Sequence, residues 1–378
     1  MLLEKLKVLG NSASWDSCGG VKQKSLRKSR IPLELENIVY DCSNTSEQCR
    51  LMKVLQTNSC IHDCAYCTNC SKGNRKETIE PEKMAQSFMG LEKRGFVEGL
   101  FLSSAVNKEA DASAEKMIES ARILRQRFRF KGYIHLKALP GMSKEKIFEM
   151  AGLAQRVSLN IEAAEKSLFS EMSSTKDYYN DLHKRLLWLD EANRKGLLRA
   201  GFTTQLVLGA LEENDRTILK KMDWLYGNTT LHRTYFSAFQ PVKHTRFEKN
   251  APEKKEREHS LYQADWLFRV YGFKRREIES GMNTHGNFIH NHDLKLDIAL
   301  NNPNAFPIDV NIASKTELLK IPGIGPKTCE KIIARRREKK IRNFEDLKKT
   351  GAILKRASAF VQLEREKQAR INAFLTNS

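Results

Sequence analysis

The chain has 378 residues, with 65 Lys and Arg against 46 Asp and Glu, a formal net charge of +19. That length accommodates one large domain plus a small one, and the positive balance points to a polyanionic partner such as nucleic acid. No apolar run approaches the roughly 20 residues that cross a bilayer, and Met1–Lys7 lacks the apolar core of a signal peptide. The sequence therefore predicts a cytoplasmic protein without a membrane partner, whose eight cysteines stay reduced.

Residues 1–50 are polar and lysine-rich, broken by Gly19-Gly20 and Pro32, and are expected to form an irregular extension carrying Cys18, Cys42 and Cys49. From Leu51 short β-like runs alternate with longer helical ones, a pattern that predicts α/β architecture with parallel strands. The strands are expected at 51–57, 99–103, 132–136, 157–161, 202–208 and 234–238. Helices are expected near 81–94, 112–128, 143–154, 177–195, 213–226 and 256–271. Pro81 suits a helix start, while Gly95 and Gly196 suit helix ends. This organisation gives a six-unit core over 51–250, a helical connector over 251–308 and a basic C-terminal domain over 309–378.

Just beyond the first predicted strand lie Cys60, Cys64 and Cys67, with Tyr66 before the last, in the spacing C-x-x-x-C-x-Tyr-C. Zinc sites usually pair two C-x-x-C knuckles, and no second knuckle follows at that distance. Three thiolates on one loop can hold three irons of a four-iron cluster and leave the fourth open for chemistry. Cys70 leaves an alternative: as a fourth ligand it would close the site. Cys42 and Cys49 have no matching spacing for an auxiliary cluster.

This triad resembles the radical SAM superfamily, and the six β/α units match that family's partial (β/α)6 TIM-like barrel. The resemblance implies a [4Fe-4S] cluster on Cys60, Cys64 and Cys67, with S-adenosylmethionine chelating the open iron. It also implies that Tyr66 packs near the cluster with its backbone at the adenine. The family's Gly-Gly-Glu run after strand two is replaced by Ser103 and Ser104, either substitute acceptors or turn formers. Alternation along strand four puts Ser158, Asn160 and Glu162 on one side, facing either the lumen and the cofactor or solvent. Gly209 could admit the adenine, and Arg233, Tyr235 and Gln240 flank the expected substrate end. His285, His290 and His292 read as turn caps rather than metal ligands.

In the basic domain, Ser314 and Glu317 form a capping box, so a helix starts there and must end at Pro322-Gly323. The run Pro322-Gly323-Ile324-Gly325-Pro326 resembles a helix-hairpin-helix, typical of DNA binders without sequence preference. Its glycines permit close backbone approach, and helix N-terminal amides suit phosphate. Gly323, Gly325, Lys327 and Thr328 are therefore the candidate DNA-binding residues. Residues 344–360 look like a second, degenerate hairpin, and the domain carries 17 Lys and Arg against 8 Asp and Glu.

A barrel joined to such a hairpin resembles the DNA modification or repair radical SAM proteins. The expectation is an enzyme acting on a DNA base or sugar, with the base leaving the stack. Its implied partners are DNA, a low-potential electron donor such as flavodoxin or ferredoxin, and conceivably another DNA repair enzyme. The alternatives are an RNA-modifying radical SAM enzyme and a DNA-binding protein with a non-catalytic cluster.

Overall fold

The computed structural model describes residues 2–14, 16, 32–43, 48–70 and 74–363. It divides into two compact units, Met1–Glu213 with Leu225–Lys254, and Asn214–Trp224 with Lys255–Ser378.

The first unit begins with helix α1 (Leu2–Ala13), whose Leu6, Leu9 and Ala13 are buried. Strand β1 (Val39–Ser43) then pairs antiparallel with β2 (Gln48–Leu55). These elements correct the expected irregular extension: residues 1–50 contribute a packed helix and a sheet strand. The sequence pattern missed them because β1 is brief and follows polar residues. Cys18 lies outside the described residues, and Cys42 stands opposite Cys49 in the β1–β2 register.

From β2 the chain runs through α2 (Pro81–Lys93), β3 (Gly99–Ser103), α3 (Ala110–Arg122), β4 (Tyr133–Lys137), α4 (Lys144–Leu153) and β5 (Arg156–Ser158). It continues through α5 (Lys166–Met172), α6 (Lys184–Arg194), β6 (Phe202–Leu208), α7 (Asp215–Asn228) and β7 (Arg233–Ala238). The sheet order is β1 through β7 in sequence, with β2 to β7 all parallel. Six parallel strands with crossover helices form the partial (β/α)6 arrangement expected from the sequence. Every residue of β3 is buried, as a parallel strand covered on both faces requires.

Local chemistry sets several boundaries. Pro81 stands at the start of α2, where its missing N–H removes no helical bond, and Gly95 ends that helix at φ +71°. Ser143 caps α4 by accepting from the Lys146 amide. Strand β5 is only three residues long, two shorter than expected.

The second unit contains α8 (Lys255–Trp266), α9 (Arg275–Glu279), α10 (Leu294–Leu300), β8 (Ile308–Asp309), α11 (Lys315–Lys320), α12 (Pro326–Glu338), α13 (Phe344–Lys349), α14 (Leu354–Ala357) and β9 (Val361–Gln362). Its core gathers Val310, Leu318, Ile321, Ile324, Ile332, Leu347 and Phe360. Ala299 belongs to that core, and Leu296 and Leu300 pack on it, so α10 is integral to the unit rather than part of a separate connector. Arg257 and Asp215 form a buried ion pair at 2.8 Å, and the second Asp215 oxygen accepts the Phe288 amide at 2.9 Å. That extra bond satisfies a charge that would be costly to bury alone. Among the described residues no helix is long and apolar enough to cross a membrane.

Candidate functional site

The cysteine loop leaves the C-terminal end of β2 and is pinned from several directions. The Ile61 amide donates to Val106 O at 2.8 Å, and the Ala65 amide to Met172 O at 2.8 Å. Asp63 does most of the tethering: its carboxylate accepts from Ser173 Oγ at 2.7 Å, Thr175 Oγ1 at 2.9 Å and the Ser174 amide at 3.1 Å. Although its partial burial works the other way, these bonds from Ser174, Ser173 and Thr175 hold the carboxyl well below the usual range. Two successive tight turns, Cys67 N to Cys64 O and Cys70 N to Cys67 O, each at 3.1 Å, fold the loop back on itself.

Cys60, Cys64 and Cys67 all line one cleft within the first unit, together with Tyr66. Cys70 does not line it. Ser103, Ser104, Asn160 and Glu162 also line the cleft, as do Gln205 and Gln240. The Ser104 hydroxyl donates to Ala105 O at 2.8 Å, so it already serves the turn after β3.

Strand alternation fails where β5 ends. Ser158 is turned to the buried His135, 3.0 Å from its Nε2, and is absent from the cleft wall, whereas Leu159 and Asn160 both line it. The chain leaves the sheet after Ser158, and Glu162 adopts φ +62°, uncommon for a residue with a side chain. Its backbone rejoins β6, donating to Gln205 O at 3.0 Å and accepting from Val207 N at 2.8 Å. Three other expectations change similarly. Arg233 stacks over Tyr235 at 5.0 Å, and neither lines the cleft. Gly209, at φ +68°, makes room for Glu253, whose carboxylate occupies the place a Cβ would take.

Electrostatics knit the wall together. Burial and the adjacent Glu162 carboxylate push the Tyr66 phenol well above its ordinary value, and Tyr66 donates to that carboxylate. Burial likewise raises Glu162, against the attraction of Lys137 and Lys176. Burial alone would lower the Lys176 ammonium, but Cys64 and Glu162 raise it. Sequence patterns did not single out Lys176, Lys137 or Asp16, because they reach the cleft from separate loops and strand ends.

Three cysteine thiols on one cleft are a donor set suited to iron–sulfur ligation. Four thiolates on one zinc, each at about 2.3 Å, would crowd within about 4 Å of one another. Among the described residues no group of three or more His, Cys, Asp or Glu is placed to hold a single metal ion. Burial, then the neighbouring Cys64, push the Cys67 thiol up to about 12, so metal loading must displace a proton there.

In the second unit the Ser314 capping box forms as expected: Ser314 Oγ accepts the Glu317 amide at 3.2 Å and Glu317 Oε2 accepts the Ser314 amide at 2.7 Å. Pro326 opens α12, with Gly325 as its N-cap. The hairpin glycines serve different neighbours. Gly323 has φ +81°, and a Cβ there would stand 2.7 Å from Ile353 O. Ile353 N donates to Gly323 O at 3.1 Å, and Thr328 Oγ1 donates to Gly351 O at 3.2 Å. The second hairpin therefore occupies the space Gly323 vacates and uses the Thr328 hydroxyl. Gly325 meets only the Tyr271 hydroxyl, at 3.5 Å from a Cβ position. Lys327 is exposed, and the first-turn amides of α12 have no intrahelical acceptor. Lys295 is buried beneath the hairpin and donates to Ile324 O at 2.7 Å. The histidines lie elsewhere in this unit: His290 is 3.4 Å from Ser260 Oγ and His292 is 3.3 Å from Asp297.

Residues 303–364 match a family model described as a helix-hairpin-helix motif. The chain is also similar to solved structures. It aligns with HydG, a maturase of the [FeFe]-hydrogenase, at 12% identity and TM-score 0.45 over 56% of this chain and 48% of that one. For Streptococcus suis SuiB bound to S-adenosylmethionine the values are 12%, 0.43, 57% and 47%. For the radical S-adenosylmethionine methyltransferase TsrM from Kitasatospora setae, with cobalamin and a [4Fe-4S] cluster bound, they are 15%, 0.42, 55% and 39%. The chain spans less than half the length of each of these three structures. No curated protein matches it.

Proposed function

We propose that the protein is a radical SAM enzyme that modifies or repairs DNA. The observation that carries this reading is the convergence of Cys60, Cys64, Cys67 and Tyr66 on one cleft beyond the C-terminal end of the first parallel strand. Barrel enzymes place their chemistry at that end of the strands.

Cys60, Cys64 and Cys67 would hold a [4Fe-4S] cluster, leaving one iron for S-adenosylmethionine. When bound, the cluster supplies the electron that cleaves S-adenosylmethionine to methionine and a 5′-deoxyadenosyl radical. The chain's own part is placement and shelter. Asp63 fixes the loop against residues 173–175, and Lys176 lends the thiolates a compensating positive charge. Tyr66 and Glu162 close one wall through their mutual hydrogen bond. Asn160 and Gln205 offer amide groups to the ribose or the methionine moiety. Leu55, Val106 and Leu159 make the remaining wall apolar and keep water from a reactive intermediate.

DNA is the favoured substrate because the second unit joins a helix-hairpin-helix motif to exposed Lys327 and to Arg335 and Arg337 in the last turn of α12. An electron donor of low potential, such as flavodoxin or ferredoxin, completes the turnover. Anaerobic reconstitution tests both halves. S-adenosylmethionine should alter the electron paramagnetic resonance spectrum of the reduced cluster, and duplex DNA should raise 5′-deoxyadenosine release above the uncoupled level. An unchanged spectrum from an intact cluster would favour a closed site and a DNA-binding protein without turnover. Stimulation by structured RNA but not by DNA would move the substrate to RNA.

A further inference from the structure

Lys137 lines the cleft at the end of a row of cations that the cysteine chemistry does not use. Lys53, Phe101 and His135 stand opposite one another across β2, β3 and β4, and Arg156 is the register partner of His135 on β5. Lys137 lies two residues beyond His135 and therefore on the same face. Lys53 is 3% exposed, its ammonium 4.7 Å from the Tyr40 ring and 5.6 Å from that of Phe101. The buried Nε of Arg156 has no hydrogen-bond partner. A buried lysine beside the half-buried Lys137 and Arg156 on one face of a sheet is costly without an anion.

The carboxylate paired with Lys137 comes from far along the chain. Asp16, 121 residues away in sequence, forms an ion pair with Lys137, and its carbonyl accepts from Lys53. Asp16 follows α1, whose Ser12 lines the same cleft and bonds Asn58 Nδ2 at 3.2 Å. Glu162 also faces Lys137, but it is engaged with Tyr66. A barrel interior that needs a counter-charge thus borrows it from an N-terminal segment outside the parallel strands.

We propose that Lys137, backed by Lys53 and Arg156, is the subsite for a phosphate of the nucleotide substrate, and that the Asp16 carboxylate holds this place in the substrate-free protein. The choice of phosphate over another oxyanion rests on the nucleic-acid reading above. Exchanging Asp16 for phosphate leaves the lysine paired throughout, and a compact ammonium on a flexible stem accepts phosphate as a point charge. Lys137 is in this sense a substrate-positioning residue.

Calorimetric titration of the full chain with inorganic phosphate tests the subsite without requiring cluster or DNA. Asp16→Asn should bind phosphate about tenfold more tightly than the parent, the effect of one freed charge-assisted contact. Adding Lys137→Met should erase that gain, which separates the cleft from the basic surface elsewhere. Asp16→Glu, which keeps the carboxylate, should behave like the parent and controls for folding. No gain in Asp16→Asn overturns the subsite. So does a Lys137→Met variant whose reconstituted form loses affinity for S-adenosylmethionine, since the lysine would then serve that carboxylate. In Asp16→Asn, thymidine 5′-monophosphate should bind more tightly than thymidine. Phosphate binding without that preference overturns the nucleotide assignment and the nucleic-acid reading beneath it, while leaving the anion subsite in place.

Discussion

The cysteine loop and the hairpin unit reach definite geometry by opposite routes. Asp63 is tied to Ser173, Ser174 and Thr175, partners 110 to 112 residues distant, so the loop's shape depends on the barrel being closed around it. In the hairpin unit the decisive bonds span short intervals: Ser314 to Glu317, Thr328 to Gly351 and Gly323 to Ile353. Long-range tethering suits a site that must hold metal in one arrangement, whereas local bonding suits a module that folds from its own sequence.

The largest expected effect breaks the cysteine side outright. Serine at Cys60, Cys64 or Cys67 should abolish cluster assembly and 5′-deoxyadenosine formation, while Cys70→Ser, outside the cleft wall, should retain both. Iron content and visible absorbance decide it; equal loss on changing Cys70 would mean a closed four-cysteine site.

Asp63→Ala should come next, because it removes the tether without touching a thiolate. Cluster occupancy after reconstitution should fall several-fold while the fold, judged by circular dichroism, stays intact, since the lost bonds are charge-assisted ones worth roughly 2 kcal/mol each before solvent screening. Occupancy equal to the parent's would show that β2 alone places the loop.

On the hairpin side Gly323→Ala forces a Cβ against Ile353 O and strains a left-handed backbone. Such a change should cost about 2 kcal/mol, visible as a lower midpoint for the second unit in denaturant. The equivalent change at Gly325, where space is open, should cost less than half of that.

The last effect is a pH slope from Lys295. Burial pulls its ammonium down to about 7, against the attraction of Asp293, whereas an unfolded lysine keeps its proton to about 10.4. Between those limits the unfolded state binds more protons, so stability should rise as pH increases from 7 toward 10 and be flat below 7. Urea midpoints at pH 6, 7.5 and 9 should follow that course, and Lys295→Met should flatten it. A slope that survives the substitution belongs to another group.

Much of this contrast was legible in the sequence, and the gaps have physical reasons. The cysteine triad and the capping box are visible because their partners fall within eight and four residues. The strands of the barrel are visible because parallel strands buried on both faces read as largely apolar runs, as β3 does. Asp16, Lys137 and Lys176 were invisible because their shared wall is assembled from the N-terminal segment, the end of β4 and the loop after α5. Ser158 defeated the alternation rule because the sheet strand ends there, so that Leu159 and Asn160 both reach the cleft wall while Ser158 turns to His135. Gly323 was read correctly as a place of close approach, but the approaching backbone belongs to the protein's own second hairpin.

Strand β1 has a further practical consequence. By pairing antiparallel with β2 over Val39 to Ser43, it covers the outer N–H and C=O groups of a strand whose Leu51, Met52, Val54 and Leu55 are almost fully buried. A shortened protein starting at Leu51, the apparent beginning of the barrel, would leave the outer edge of Leu51 and Met52 bare and invite a second molecule to add itself there. Strand β1 therefore acts as a guard against self-association, and removing it should turn a monodisperse preparation into one that precipitates.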